Sequence, residues 1–230
     1  MPYFFMDYYY IILVIPAMIL AAWAQFKVKS TYNKFSKVSN NKGITGAYAA
    51  QAVLTHYGIT DVRIEQVSGK LTDHYDPKAK VIRLSQGVYG STTIAAVGIA
   101  CHEAGHAAQH AQNYAPIKIR NSLVPVCNIG STLGIPLAIL GYFLGFEPLI
   151  SIGLLLYAAI ALFQVITLPV ELNASKRAMK VIDETGLLYY DEQGGAKKVL
   201  TAAAMTYIAS MLVAIANLLR LILRFSNRRN

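Results

Sequence analysis

The sequence predicts a mainly helical protein that crosses a membrane several times and carries a small α+β portion outside the lipid. Three observations predict this. Apolar residues fill 55% of the 230 positions and charged residues only 14%, against about 25% charged in an ordinary soluble domain. Four stretches, residues 8–26, 123–144, 149–170 and 199–219, hold no charge and come close to the roughly 20 helical residues that a bilayer core requires. Between the first and second lies a polar segment with the spacing of short helices and strands.

The elements follow in order. Tyr3, Phe4, Phe5, Tyr8, Tyr9 and Tyr10 form an aromatic cluster of the kind that gathers at a lipid–water boundary. Ala22-Trp23-Ala24 loosely resembles a cleavage site for a secretory leader. Yet no positive residue precedes the apolar run, and Lys27, Lys29, Lys34, Lys37 and Lys42 follow it, which is the charge order of a retained anchor. Residues 1–26 are therefore expected to be an N-terminal transmembrane anchor. Residues 27–42 read as a basic connector lying over anionic lipid. A helix is expected over 45–57, ended by Gly58. Two short strands, 62–67 and 81–84, flank a turn-rich run that begins Thr72-Asp73-His74-Tyr75-Asp76-Pro77. A second helix starts at Ser91 or Thr92, whose hydroxyls can accept from free backbone amides.

Residues 123–170 are expected to form a transmembrane helix pair, in which Gly130 with Gly134 and Gly141 with Gly145 match a close-packing spacing. Residues 171–230 then combine a polar helical run with a last membrane helix. Segments 27–122 and 171–198 hold 12 and 5 of the lysines and arginines, so that side is expected to be cytoplasmic. Arg220, Arg224, Arg228 and Arg229 disagree, and the fourth stretch is read as interfacial or partly inserted, its arginines reaching headgroups. The net charge of +9 could suit nucleic acid, but the apolar excess favours membrane lipid as partner. Cys101 and Cys127 are too few for a disulfide framework.

The chemistry is concentrated in Cys101-His102-Glu103-Ala104-Gly105-His106, which contains H-E-x-x-H. Helical residues four apart differ by about 40° in direction, so His102 and His106 can both offer a nitrogen to one zinc ion. Glu103 is turned about 100° aside, where its carboxylate can take a proton from a water attacking a carbonyl. His110 shares the face of His102 but stands about 12 Å along the axis, too far to join the same ion. A catalytic zinc takes three protein ligands and keeps one open position. The acids available are Asp61, Glu65, Asp73, Asp76, Glu171, Asp183, Glu184, Asp191 and Glu192. Glu171 stands out because it sits at the apolar boundary in Pro169-Val170-Glu171-Leu172-Asn173, ahead of the helical run 176–182. A carboxylate there is costly unless paired, and an ion held by two imidazoles would pair it.

With His102-Glu103-Ala104-Gly105-His106 and Glu171-Leu172-Asn173-Ala174-Ser175 in view, the chain resembles the YugP-type neutral zinc metallopeptidases, a bacterial membrane family. The resemblance runs over nearly the whole chain, including Leu71-Thr72-Asp73-His74-Tyr75-Asp76-Pro77 and Arg83-Leu84-Ser85. More distantly the chain is similar to the HtpX and CAAX prenyl protease group, in which a glutamate ligand lies in an E-x-x-A-D pattern. The resemblance implies a zincin-like region over 27–122, His102, His106 and Glu171 as ligands of one Zn2+, and Glu103 as general base. The aspartate of that wider pattern, which would orient a ligand imidazole, is Ser175 here.

These residues predict a zinc-dependent membrane endopeptidase acting on peptide or protein substrates, multi-pass in the cell membrane, with its active site on the cytoplasmic side. His74, Tyr207 and Arg177 are candidate donors to the developing oxyanion. The strand 80–85 could pair with an extended substrate along its edge. Two alternatives stay open: an intramembrane protease, and a non-catalytic membrane scaffold with a structural metal.

Overall fold

The computed structural model describes residues 7–226. Tyr3, Phe4, Phe5, Arg228 and Arg229 therefore lie outside the described residues. The chain is mainly helical. A wide helical turn, Tyr10–Val14, leads into α1 (Ile15–Phe35), followed by α2 (Gly46–His56), β1 (Arg63–Val67), β2 (His74–Asp76), β3 (Val81–Ser85), α3 (Gln86–Tyr89), α4 (Ile94–Ala111), α5 (Ala115–Leu144), α6 (Glu147–Glu184) and α7 (Tyr190–Ser226). Among the described residues, four helices are long and apolar enough to cross a membrane: Tyr10–Phe35, Ala115–Leu144, Glu147–Glu184 and Tyr190–Phe225.

The chain divides into two units. The first holds residues up to Gln25, Pro116–Pro169 and residues from Thr206 onward. Its α5 and α6 run antiparallel at close range because small residues face each other. A Cβ added to Gly130 would stand 2.6 Å from the Leu156 carbonyl oxygen, and one added to Gly153 would stand 2.5 Å from that of Gly134. Gly141 also packs, against Ile150, but Gly145 does not: it adopts φ +66° and turns the chain between the two helices. The Gly130 and Gly134 spacing thus serves packing within the chain, whereas the second glycine pair splits between packing and turn.

Arg220 and Arg224, expected to reach headgroups, instead meet a carboxylate. Asp7 Oδ2 lies 3.0 Å from Arg220 Nη2 and 2.9 Å from Arg224 Nη1, and the Arg220 guanidinium lies 4.8 Å from the centre of the Tyr10 ring. A cation within an apolar bundle seeks an acid rather than lipid. The start of the first helix and the end of α7 are therefore tied together, with these helices antiparallel.

The second unit holds Phe26–Ala115 and Val170–Met205. Its core is the buried face of α4, packed by Val53 and Leu54 of α2, Ile82 and Leu84 of β3, and Val181 and Ile182 of α6. Thr45 caps α2 by accepting from the Tyr48 amide at 3.2 Å, and Gly58 ends it at φ +66°. Thr93, not Ser91 or Thr92, caps α4 by accepting from the Ala96 amide at 3.3 Å, while Ser91 bonds to Thr93 itself. The sheet order is β1-β3-β2, with β1 parallel and β2 antiparallel to β3.

Strand 80–85 is thus central, with β1 on one side and β2 on the other, so it has no free edge for a substrate. The strand that fills one side, β2, lies inside the run read as turns. Asp76 Oδ1 accepts from the Lys78 and Ala79 amides at 3.0 and 3.1 Å, closing a tight turn that folds β2 back onto β3. The apolar stretch 149–170 and the polar run 176–182 are likewise one helix, α6, which continues through Pro169.

Candidate metal centre

All the residues of this site belong to the second unit. Helix α4 carries His102, Glu103 and His106, and α6 carries Glu171. The two helices meet at Gly105, where an added Cβ would stand 2.7 Å from the Ala174 carbonyl oxygen. Only hydrogen fits between the backbones there. This brings the face of α4 that bears the histidines directly against Glu171.

His102 Nε2 lies 3.2 Å and His106 Nε2 lies 3.5 Å from the same oxygen, Glu171 Oε2. The two imidazoles stand edge to face, with ring centres 4.8 Å apart and planes at 84°. Donor atoms of all three residues lie within 4.8 Å of one another, the one such cluster of three or more histidine, cysteine or acidic residues among the described residues. Glu171 is 3% exposed and His106 9% exposed, whereas His102 and Glu103 are half-buried. The cluster is therefore buried at Glu171 and His106 and partly open at His102.

A hydrogen-bond chain behind the cluster fixes the tautomer of His106. Arg177 Nε can only donate, and it donates to Asn173 Oδ1 at 2.7 Å. The Val170 carbonyl can only accept, and Gln109 Nε2 donates to it at 2.7 Å and to Asn173 Oδ1 at 3.0 Å. The remaining Gln109 atom, Oε1, must then accept, and it faces His106 Nδ1 at 3.0 Å. Neutral His106 therefore carries its proton on Nδ1 and presents a lone pair from Nε2 to the Glu171 carboxylate.

Two acceptors at 3.5 Å repel unless a cation lies between them. Burial opposes a charged His106, but Glu171 and Glu103 favour it and raise its pKa above the ordinary histidine value. The site thus attracts positive charge. A divalent ion satisfies the same demand with both rings neutral, and two ligand atoms at about 2.0–2.1 Å from a tetrahedral zinc stand about 3.3 Å apart. The two separations to Glu171, 3.2 and 3.5 Å, bracket that value, and all three donor atoms lie within 4.8 Å of one another, so the donor set suits a zinc ion.

His102 Nδ1 has its own partner, Ser175 Oγ at 3.1 Å. Ser175 thus contacts a candidate ligand imidazole through a neutral hydroxyl. Gln109 plays the corresponding part for His106 and escapes a reading of the motif alone. Its signal is the three-residue helical spacing from His106. Replacing Gln109 with methionine is expected to weaken zinc binding by 10- to 100-fold, the range for partners that orient a ligand imidazole. Competition with a chromophoric chelator measures it, and unchanged affinity contradicts this role.

The other residues singled out in the sequence lie elsewhere. His110 rests against Tyr75 with ring centres 5.5 Å apart. Arg177 is engaged by Asn173 and by Gln112 Oε1 at 2.5 Å, with the Tyr57 and Tyr114 ring centres 5.6 and 5.9 Å away. His74 lies on β2 with Nε2 3.4 Å from Arg83, and Tyr207 belongs to the first unit. Cys101 points away from the cluster, within 3.8 Å of the Ala49 carbonyl, and burial pushes its thiol pKa up. Among the acids, Asp61 pairs with Lys80, Asp76 with Arg83, Glu65 with Arg63 and Glu184 with Lys180. Asp73 holds the amide and hydroxyl of Ser85.

A family model described as "Putative neutral zinc metallopeptidase" matches residues 10–226. The chain is also 46% identical over 221 residues, 96% of its own length and 98% of the other's, to the "Putative membrane protease YugP" of Bacillus subtilis (strain 168). No solved structure matches.

Proposed function

Because the chain belongs to the YugP-type family of neutral zinc metallopeptidases, we propose that it is a membrane-bound endopeptidase whose His102, His106 and Glu171 hold one zinc ion and whose Glu103 is the general base. The observation that carries this reading is the His106 lone pair turned onto the Glu171 carboxylate at 3.5 Å, in a site whose back is sealed by Gln109.

Zinc, when bound, polarises a carbonyl and makes a water acidic near neutral pH. The remaining work falls to the chain. Glu103 follows His102 directly and projects about 100° away from it, half-buried beside the cluster. Its carboxylate accepts the proton of the attacking water and returns it to the departing amine. Gln109 and Ser175 hold the imidazole rings in place during this exchange. An extended substrate adds to the free edge of β2, whose Tyr75 rests on His110 at the end of α4. Peptides or unfolded proteins reaching the cytoplasmic face of the membrane are the proposed substrates.

Two features favour this reading over its rivals. Helix α4 has 18 residues and is packed by α2 and the sheet, and it is not among the four helices able to span a membrane. An intramembrane protease would carry the motif within such a span. The cluster has three donors and no cysteine, whereas a structural zinc site closes four positions and favours thiolates. Removing metal with dipicolinate is expected to abolish cleavage of an unfolded protein substrate, and one equivalent of zinc to restore it. Full activity in metal-free protein contradicts the proposal.

A further inference from the structure

We propose that a second site, between the C-terminal part of α1 and the N-terminal part of α7, binds the headgroup of an acidic phospholipid. The two segments flank an open cleft of about 650 Å³ lined by Lys27, Lys34, Lys197, Lys198, Thr31 and Thr201. All of them belong to the second unit. Four lysines and no carboxylate line it, so its charge favours an anionic ligand. The hydroxyls add donors suited to phosphate oxygens.

Position selects a lipid over a soluble anion. Lys27 is the first charge after the apolar stretch of α1, and Lys198 is the last before the apolar stretch of α7. The cleft therefore stands where both chain segments turn from polar to apolar, the level at which headgroups lie. Its lining is amphipathic in the same sense. Phe35 and Met205 supply apolar surface beside the ammonium groups, as a headgroup joined to its glycerol and acyl chains requires. The volume falls within the roughly 300–1,000 Å³ range of small-molecule sites and exceeds the needs of a lone phosphate. The site depends on membrane placement but not on the peptidase reading.

The test titrates the purified full chain, in a neutral detergent, with phosphatidylglycerol, phosphatidylcholine and inorganic phosphate, and counts bound molecules by native mass spectrometry. Phosphatidylglycerol is expected to bind at low occupancy number and the other two not. In the variant Lys34→Gln, Lys197→Gln, Lys198→Gln the affinity should fall by about fivefold per lysine, on the order of a hundredfold together. Lys70→Gln with Lys78→Gln, exposed lysines of the sheet region, should leave it unchanged. Gly194→Leu offers a second test without charge loss, because a Cβ there meets nothing within 4 Å and the longer side chain would occupy the cleft. The proposal is overturned if both lipids bind alike, if inorganic phosphate binds as well as the lipid, or if binding survives both the triple variant and Gly194→Leu.

Discussion

Glu103→Gln is expected to lower peptide cleavage by on the order of a thousandfold, within the 10²–10⁴ range of positioned acid–base groups, while leaving zinc stoichiometry at one per chain. The amide keeps the size of the carboxylate but cannot take a proton from water. Glu103 is not part of the donor cluster of His102, His106 and Glu171, so its loss should spare metal retention. Parallel assays of metal content and turnover separate the two effects. Undiminished turnover removes Glu103 from the role of base. Lost metal together with lost turnover would mean that Glu103 belongs to the ligand set instead.

Glu171→Ala carries the second large effect, in the opposite pattern. Its carboxylate oxygen is the atom on which both Nε2 atoms converge. Without it the donor set keeps two imidazoles and no anionic ligand, and zinc affinity should fall by more than the 10- to 100-fold expected for Gln109. Thermal melts read this independently of activity. In the unaltered chain, zinc at a thousand times its Kd adds about 4 kcal/mol of stability, seen as a raised Tm. The Glu171→Ala chain should show no zinc-dependent rise at the same concentration. A rise equal to that of the unaltered chain would exclude Glu171 from the ligands.

Much of this architecture is legible in the sequence because a segment able to cross a bilayer must have a certain length and polarity. The four charge-free stretches reappear within the four long helices. What escapes is what depends on pairing across long separations. The join of 149–170 to 176–182 into one α6 is hidden by Pro169 and by the change of polarity at Glu171, both of which imitate a helix end. Strand β2 has three residues among turn formers, so it exists through its register with β3 rather than through propensity. Asp7 meets Arg220 and Arg224 across more than 200 positions, and nothing local announces the pair.

The candidate site divides in the same way. His102, Glu103 and His106 follow from helical spacing, and Glu171 from the cost of a carboxylate at an apolar boundary. The supports behind them do not. Ser175 draws notice only as a departure from the pattern of a more distant group, and Asn173 and Arg177 join through the contact of α4 with α6. Gly105 sits inside the motif as an unspecified position, yet its missing side chain is what lets the Ala174 backbone approach.

The most direct measurement is a crystal structure of the zinc-loaded chain with anomalous data collected on either side of the zinc edge. The expected result is one peak at about 2.0–2.2 Å from His102 Nε2, His106 Nε2 and a Glu171 carboxylate oxygen, with Glu103 outside that distance. A peak that leaves the Glu171 carboxylate beyond coordinating reach, or no peak at the two imidazoles, contradicts the account.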